Sequence, residues 1–134
     1  MNDTITKPQT GDIVVGILSN NRMTIIHITS DNIFSQEILH CAYFDKKHYM
    51  KVELCQPKEV RFLSLPNDAK KHPCEINIHD RVLLNHQHDS EPPVMKITNF
   101  TESENISHAV CEWLTLKGDI DLEILPLTAL KRVV

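Results

Sequence analysis

Glycine is scarce in this chain: 134 residues hold three, Gly11, Gly16 and Gly118. A loop that cradles phosphate needs clustered glycines so that backbone N–H groups can approach the anion. No G-x-G-x-x-G, Walker A or G-x-S-x-G pattern is present, which sets aside the usual nucleotide-dependent enzymes and serine hydrolases. Aromatic residues are only 5% of the chain, too few for a row of stacking platforms. No run approaches the roughly 18–20 apolar residues of a membrane span. There is no basic excess either. Fourteen Lys and Arg against eighteen Asp and Glu leave a net charge of −4, without the electrostatic footprint of a general nucleic-acid binder. The four cysteines, Cys41, Cys55, Cys74 and Cys111, form no C-x-x-C pair, so neither a redox motif nor a zinc ribbon is written here. The N-terminus has no basic start followed by an apolar run, and a cytoplasmic protein with free thiols is expected.

What the chain does contain is period-2 alternation. Met50, Val52 and Leu54 alternate with Lys51 and Glu53, and Ile120, Leu122 and Ile124 alternate with Asp121 and Glu123. Half-buried strands read this way, and the apolar set is assigned to the interior. Short β-branched runs at Ile13–Leu18, Met23–Ile28, Leu39–Phe44, Val82–Leu84, Val94–Thr98 and Ala109–Leu114 add six more strands. Gly118, between the last two strands, is expected to supply the positive φ of a hairpin turn.

The strands fall into two sets of four in matching order. Gly11-Asp12-Ile13-Val14 aligns with His79-Asp80-Arg81-Val82, Met23-Thr24-Ile25 with Met95-Lys96-Ile97, Cys41-Ala42-Tyr43-Phe44 with Cys111-Glu112-Trp113-Leu114, and Pro57 with Pro126. Met to Cys is 18 residues in the first set and 16 in the second; Cys to Pro is 16 and 15. Order and spacing point to an internal duplication. In each copy a cysteine shares strand parity with an aromatic ring two residues on, Tyr43 or Trp113, and a small thiol beside a ring suits a compact interior. Each copy alone is marginal in size, so docking of the two would add stability.

The Gly-Asp-x-Val opening, the Met-Thr-Ile strand, the Cys-x-Trp strand, the hairpin and the closing Pro-x-x-x-Leu resemble the YodC-like family, small bacterial domains of unknown function. The resemblance covers most of residues 11–134. It departs from the family at His79 for Gly, at Tyr43 for Trp and in the turns before each Met. It implies an all-β fold of two tandem small antiparallel β-barrels of SH3-like type, with four or five strands each. The expected organisation is a flexible tail over 1–10, a first barrel over 11–63, a linker over 64–78 and a second barrel over 79–134. Polar loops are expected at Asp31–Glu37 and Phe100–Ser107, and a helical turn after Pro126. The resemblance transfers no catalytic residue.

Candidate functional residues are few. Residues 79–134 hold nine acidic side chains against five basic ones. Glu112, Asp121 and Glu123 read as an acidic stripe on a solvent face, and Lys46 and Lys47 as a basic hairpin tip. Together they form the expected interaction surface of a non-catalytic binding or adaptor module. The expected partner is another protein, with a nucleic-acid-associated module as the alternative. Cys41 and Cys111 read as core residues and Cys55 as the exposed thiol. His72, Cys74, His79, His86 and His88 lie within 17 positions, but their spacing fits no established zinc pattern. They read as exposed loop residues, and no metal or cofactor is expected.

Overall fold

The computed structural model describes residues 7–31, 33, 36–63, 76–103 and 106–133. The strands are β1 (Ile13–Gly16), β2 (Arg22–Asp31), β3 (Gln36–Phe44), β4 (Met50–Cys55) and β5 (Val60–Phe62), then β6 (Arg81–Leu84), β7 (Met95–Ser103), β8 (Ile106–Leu114), β9 (Ile120–Pro126) and β10 (Leu130–Arg132). They build two five-stranded antiparallel sheets of identical order, β4-β3-β2-β1-β5 and β9-β8-β7-β6-β10. The fold is all-β. The end strands of each sheet, β4 with β5 and β9 with β10, do not pair among the described residues. The sheets are therefore open, and the expected closure into barrels is not seen.

The equivalence of the two halves extends to single hydrogen bonds. Gly11 N–H donates to the Ile25 carbonyl, and His79 N–H to that of Ile97. Both donors have positive φ. Asp12 and Asp80 each accept the backbone N–H three residues before them, from Gln9 and Asn77. The ladder slips by one residue between Ile25 and His27 and again between Ile97 and Asn99, the same β-bulge in both copies. Cys41 pairs with Ile25 and Glu53, and Cys111 with Ile97 and Glu123. Both thiols are fully buried.

The shorter Met-to-Cys spacing of the second copy falls at one hairpin. Four residues join β2 to β3, and two join β7 to β8. Of the expected polar loops, Phe100–Ser107 is mostly ladder and Asp31–Glu37 is ladder at its ends: Ser103 pairs with Ile106 and Asp31 with Gln36. Polar side chains do not prevent a hairpin from extending, because its backbone groups satisfy one another. The closing turns, at Pro57–Glu59 and Leu127–Ala129, are short 3-10 turns. They make Pro57 equivalent to Leu127, so the prolines are offset by one place. Gly118 has φ 90°, and its equivalent in the first hairpin is His48 at φ 69°.

Of the expected tail, Gln9 and Thr10 are held, the first by Asp12 and the second through a 2.8 Å bond between the Thr10 and Thr128 hydroxyls. Most of the expected linker, residues 64–75, lies outside the described residues.

Alternation in β4 and β9 runs opposite to expectation. Leu39 pairs with Cys55, so Cys55 shares the inner face and is 4% exposed. Leu54 and Val52 are on the outer face, as are Ile120, Leu122 and Ile124 in β9. The apolar set on these strands faces away from the repeat's own interior. For Met50 the reason lies in how the repeats dock.

The second repeat covers part of the outer face of the first sheet, while Val52 and Leu54 at its β4 edge stay exposed. Ala42, fully buried, belongs to the core of the second repeat, and Ile26, Phe44 and Met50 pack against it. The Phe44 and Trp113 rings meet edge to face at 5.2 Å. The Trp113 indole N–H donates to the His48 carbonyl at 2.7 Å, and Leu116 N–H to the Lys47 carbonyl at 3.1 Å. Asn85 Nδ2 donates to the carbonyls of both Gly11 and Thr128. A Cβ at Gly11 would collide with the Thr128 carbonyl, so glycine here serves close approach as well as its turn. The first repeat keeps a separate core of Val14, Met23, Ile25, Leu39, Cys41, Cys55 and Val60.

His86, expected to be exposed, is 8% exposed at this junction. The Thr24 hydroxyl accepts the His86 backbone N–H at 3.0 Å and lies 2.8 Å from Nδ1. That arrangement suits a neutral ring, with the Thr24 hydroxyl donating to an unprotonated Nδ1. Burial pushes the His86 pKa down to about 4, against a smaller upward pull from Glu91. The unfolded chain therefore binds a proton that the native chain refuses, and stability falls with falling pH across the interval from about 6.5 to about 4. Denaturant melts of the parent are expected to lose about 3 kcal/mol over that interval from this group. His86→Gln should remove most of the slope; an unchanged slope would place the titrating group elsewhere.

Candidate protein-binding surface

The outer face of β8 and β9 is largely uncovered, and at the equivalent places of the first repeat Val52 and Leu54 are also exposed. Leu114 pairs with Ile120 and Glu112 with Leu122, and Val110 pairs with Ile124. Their side chains point away from Cys111 and Trp113, because neighbours along a strand alternate. Leu114, Ile120, Leu122 and Ile124 are 60%, 70%, 53% and 53% exposed. Scattered exposed leucines are ordinary, but a contiguous apolar strip on a sheet face marks an interaction surface. Lys96, directly opposite Glu112 in the β7–β8 ladder, puts one cation and one anion at its border.

The five residues expected to form the interaction surface do not come together. Glu112 is on the outer face. Asp121 pairs with Trp113 and Glu123 with Cys111, which puts both on the inner parity at the edge of the sheet. The acidic stripe therefore does not form, because β9 sits in the opposite sense to its apolar alternation. Burial and the nearby Asp121 raise the Glu123 carboxyl above its ordinary range. Inward-pointing charge on an edge strand also discourages pairing with another strand, and Glu53 holds the matching place on β4.

Lys46 and Lys47 are exposed on the β3–β4 tip. Asp45 Oδ1 shapes that tip by accepting the N–H groups of Lys47 and Tyr49. These bonds, that from Tyr49 foremost, hold the Asp45 carboxyl below the usual range. The Leu116-to-Lys47 backbone bond sets the β8–β9 tip against it, which brings exposed Lys117 to the same end of the molecule.

Sequence reasoning passed over the Leu114–Ile124 strip and the His86–Thr24 junction. The strip had a signal, since its alternation was visible; its sense was not. The junction had none, because Thr24 and His86 are 62 residues apart.

A shallow groove lined by Ile76, Phe100, Thr101, Glu102, Ser107 and Leu127 holds one carboxylate and neither histidine nor cysteine. Among the described residues no three His, Cys, Asp or Glu side chains gather as a metal site would need; His72 and Cys74 lie outside those residues. Nor does any helix among them have the length and apolarity to cross a membrane.

No family model and no curated protein matches the chain. Among solved structures, the SAWADEE domain of SHH1 from Arabidopsis thaliana is similar at 12% identity, covering 95% of this chain and 98% of that one, with a TM-score of 0.27. A likeness at that score carries no argument about fold or function.

The thiols are placed for packing. Burial pushes the Cys111 pKa up to about 12, and burial with nearby Glu53 pushes Cys55 up to about 11. Thiolate is the reactive form. Iodoacetamide at pH 8 followed by peptide mass spectrometry should find Cys41, Cys55 and Cys111 protected in the native chain and modified in denaturant. Native modification of Cys55 at the denatured rate would contradict its placement.

Proposed function

We propose that this chain is a non-catalytic protein-binding or adaptor module whose working surface is the outer face of β8 and β9. The observation that carries the reading is the exposed strip of Leu114, Ile120, Leu122 and Ile124. Maintaining that much apolar surface in water invites association, and the first-repeat counterparts of Leu114 and Ile120, Phe44 and Met50, already dock within the chain.

Kinship of each repeat with small SH3-like barrels, here as an open five-stranded sheet, is part of the proposal. Its support is the strand order, in which β5 returns to pair with β1 after a three-residue 3-10 turn. Kinship with the YodC-like family rests on the residues that carry the resemblance, above all Gly11-Asp12 and Cys111-x-Trp113, and a bacterial cytoplasmic setting follows from that kinship. A second reading, nucleic-acid binding, draws on Lys46, Lys47 and Lys117 at one end of the molecule. The favoured reading keeps them as a solvated tip, because among the described residues the ring in that tip, Tyr49, is only part-exposed and a base stacks on an exposed ring.

Leu122→Glu tests the proposal at a side chain that stands largely in water. Affinity capture from the host with wild-type and Leu122→Glu baits, both checked for equal melting temperature, should return proteins that the variant loses. Identical capture by the two would remove this face as the working surface. Salt-sensitive binding of generic oligonucleotides that falls on replacing Lys46 and Lys47 would favour the second reading.

A further inference from the structure

We propose that His27 and His40 form a two-histidine site for a late first-row divalent metal ion such as zinc. The site lies on the first repeat, apart from the binding surface of β8 and β9.

A β-bulge brings the two residues together. Ile25 pairs with Cys41, and a regular ladder would set Ile26 against His40. The slip after Ile25 sets His27 there instead. Bulges re-aim side chains in this way. Directly opposed residues of an antiparallel pair have Cβ atoms about 4.5–5.5 Å apart. The two rings lie with their centroids 5.1 Å apart and their planes inclined at 63°. An imidazole nitrogen binds zinc at about 2.0–2.1 Å, so two rings on one tetrahedral ion hold their centroids about 5 Å apart. The sheet therefore already spaces the rings for a shared ion.

The remaining contacts suit ligation. The Thr29 hydroxyl lies 3.1 Å from His40 Nε2. When Nε2–H donates to that hydroxyl, Nδ1 carries the free lone pair. The ring is then oriented by an outer partner, as metal-binding histidines are. His27 is exposed, so its ring can turn a nitrogen to the same ion. Burial, and then His27, lower the His40 pKa, which keeps that ring in the neutral form that binds metals. The ladder neighbours Thr29, Ile38 and Leu54 are uncharged and set no cation against an incoming one.

The fold does not require the pair. The second repeat has the same bulge, with Asn99 opposite Val110 at the equivalent places, and its sheet forms without either imidazole. A closed structural zinc site takes four protein ligands, and among the described residues no third His, Cys, Asp or Glu joins these two. Two protein ligands leave the other positions to water, which makes the site an exchangeable one. Imidazole selects zinc, copper and nickel over magnesium and calcium.

Titration of the intact chain with zinc chloride, followed by NMR of the histidine side chains and by calorimetry, tests the site. The ring signals of His27 and His40 should move together and saturate at one ion, and magnesium should leave them in place. His27→Asn and His40→Val install the residues of the second repeat, so both variants should melt like the parent without metal. Outer partners of metal-binding histidines are worth about 10–100-fold in affinity. Thr29→Val should therefore weaken zinc binding about tenfold, and loss of either ring should weaken it further. Zinc that leaves both ring signals in place, or moves only one of them, would overturn the proposal. So would an affinity that none of the three substitutions changes, or shifts at the pair no tighter than those at exposed His88.

Discussion

The contact of Trp113 with the first repeat is the interaction on which the remaining structure depends. Its ring meets Phe44 edge to face, and its N–H is satisfied by the His48 carbonyl. An aromatic ring is a large apolar surface with one polar handle, and it is stable in a core only when both are answered. Here both answers come from the other repeat. The interior of the second repeat is completed by the outer surface of the first, with Ala42 inside its core and Ile26, Phe44 and Met50 against it. Around that contact, Gly11, Asn85, Thr24 and His86 fix the approach through hydrogen bonds that cross between repeats.

That arrangement accounts for what was legible in the amino-acid order and what was not. The duplication was legible because it is written in local chemistry: an Asp that caps its own turn, a Met-led strand, and a thiol two residues before a ring. Cys41 and Cys111 consequently occupy matching, fully buried places. Gly118 was legible because a hairpin turn at that place needs positive φ. The sense of β4 and β9 was not legible. Alternation tells which side chains share a face; burial against a particular neighbour decides which face is inward. For Met50 the apolar parity serves docking between repeats, while Cys55 serves the interior. Reading apolar as inward therefore inverted both strands, exposed Cys55 on paper and drew Asp121 and Glu123 into a stripe with Glu112. His86 was misplaced for a similar reason: a histidine in a polar loop becomes a buried one when a hydroxyl 62 residues away completes it.

The same logic bears on where the proposed binding surface lies. In tandem architectures the terminal unit ordinarily turns a polar face to water. The second repeat does so only in part, with Lys96 and Glu112 over the middle of the face and Leu114, Ile120, Leu122 and Ile124 along its side. Lys96 and Glu112 stand where Thr24 and Ala42 admit the second repeat, and the apolar residues beside them stay exposed. On the proposed reading, binding uses the outer face of a duplicated sheet and not a pocket.

A double-mutant cycle on Phe44 and Trp113, read by denaturant unfolding, tests the docked arrangement most directly. Trp113→Ala alone is expected to cost about 3–5 kcal/mol. With Phe44→Ala already present, that cost should fall by about 0.5–1.5 kcal/mol, the coupling of an edge-to-face pair. Strictly additive losses would mean that the two rings do not meet and that the repeats are not joined as described.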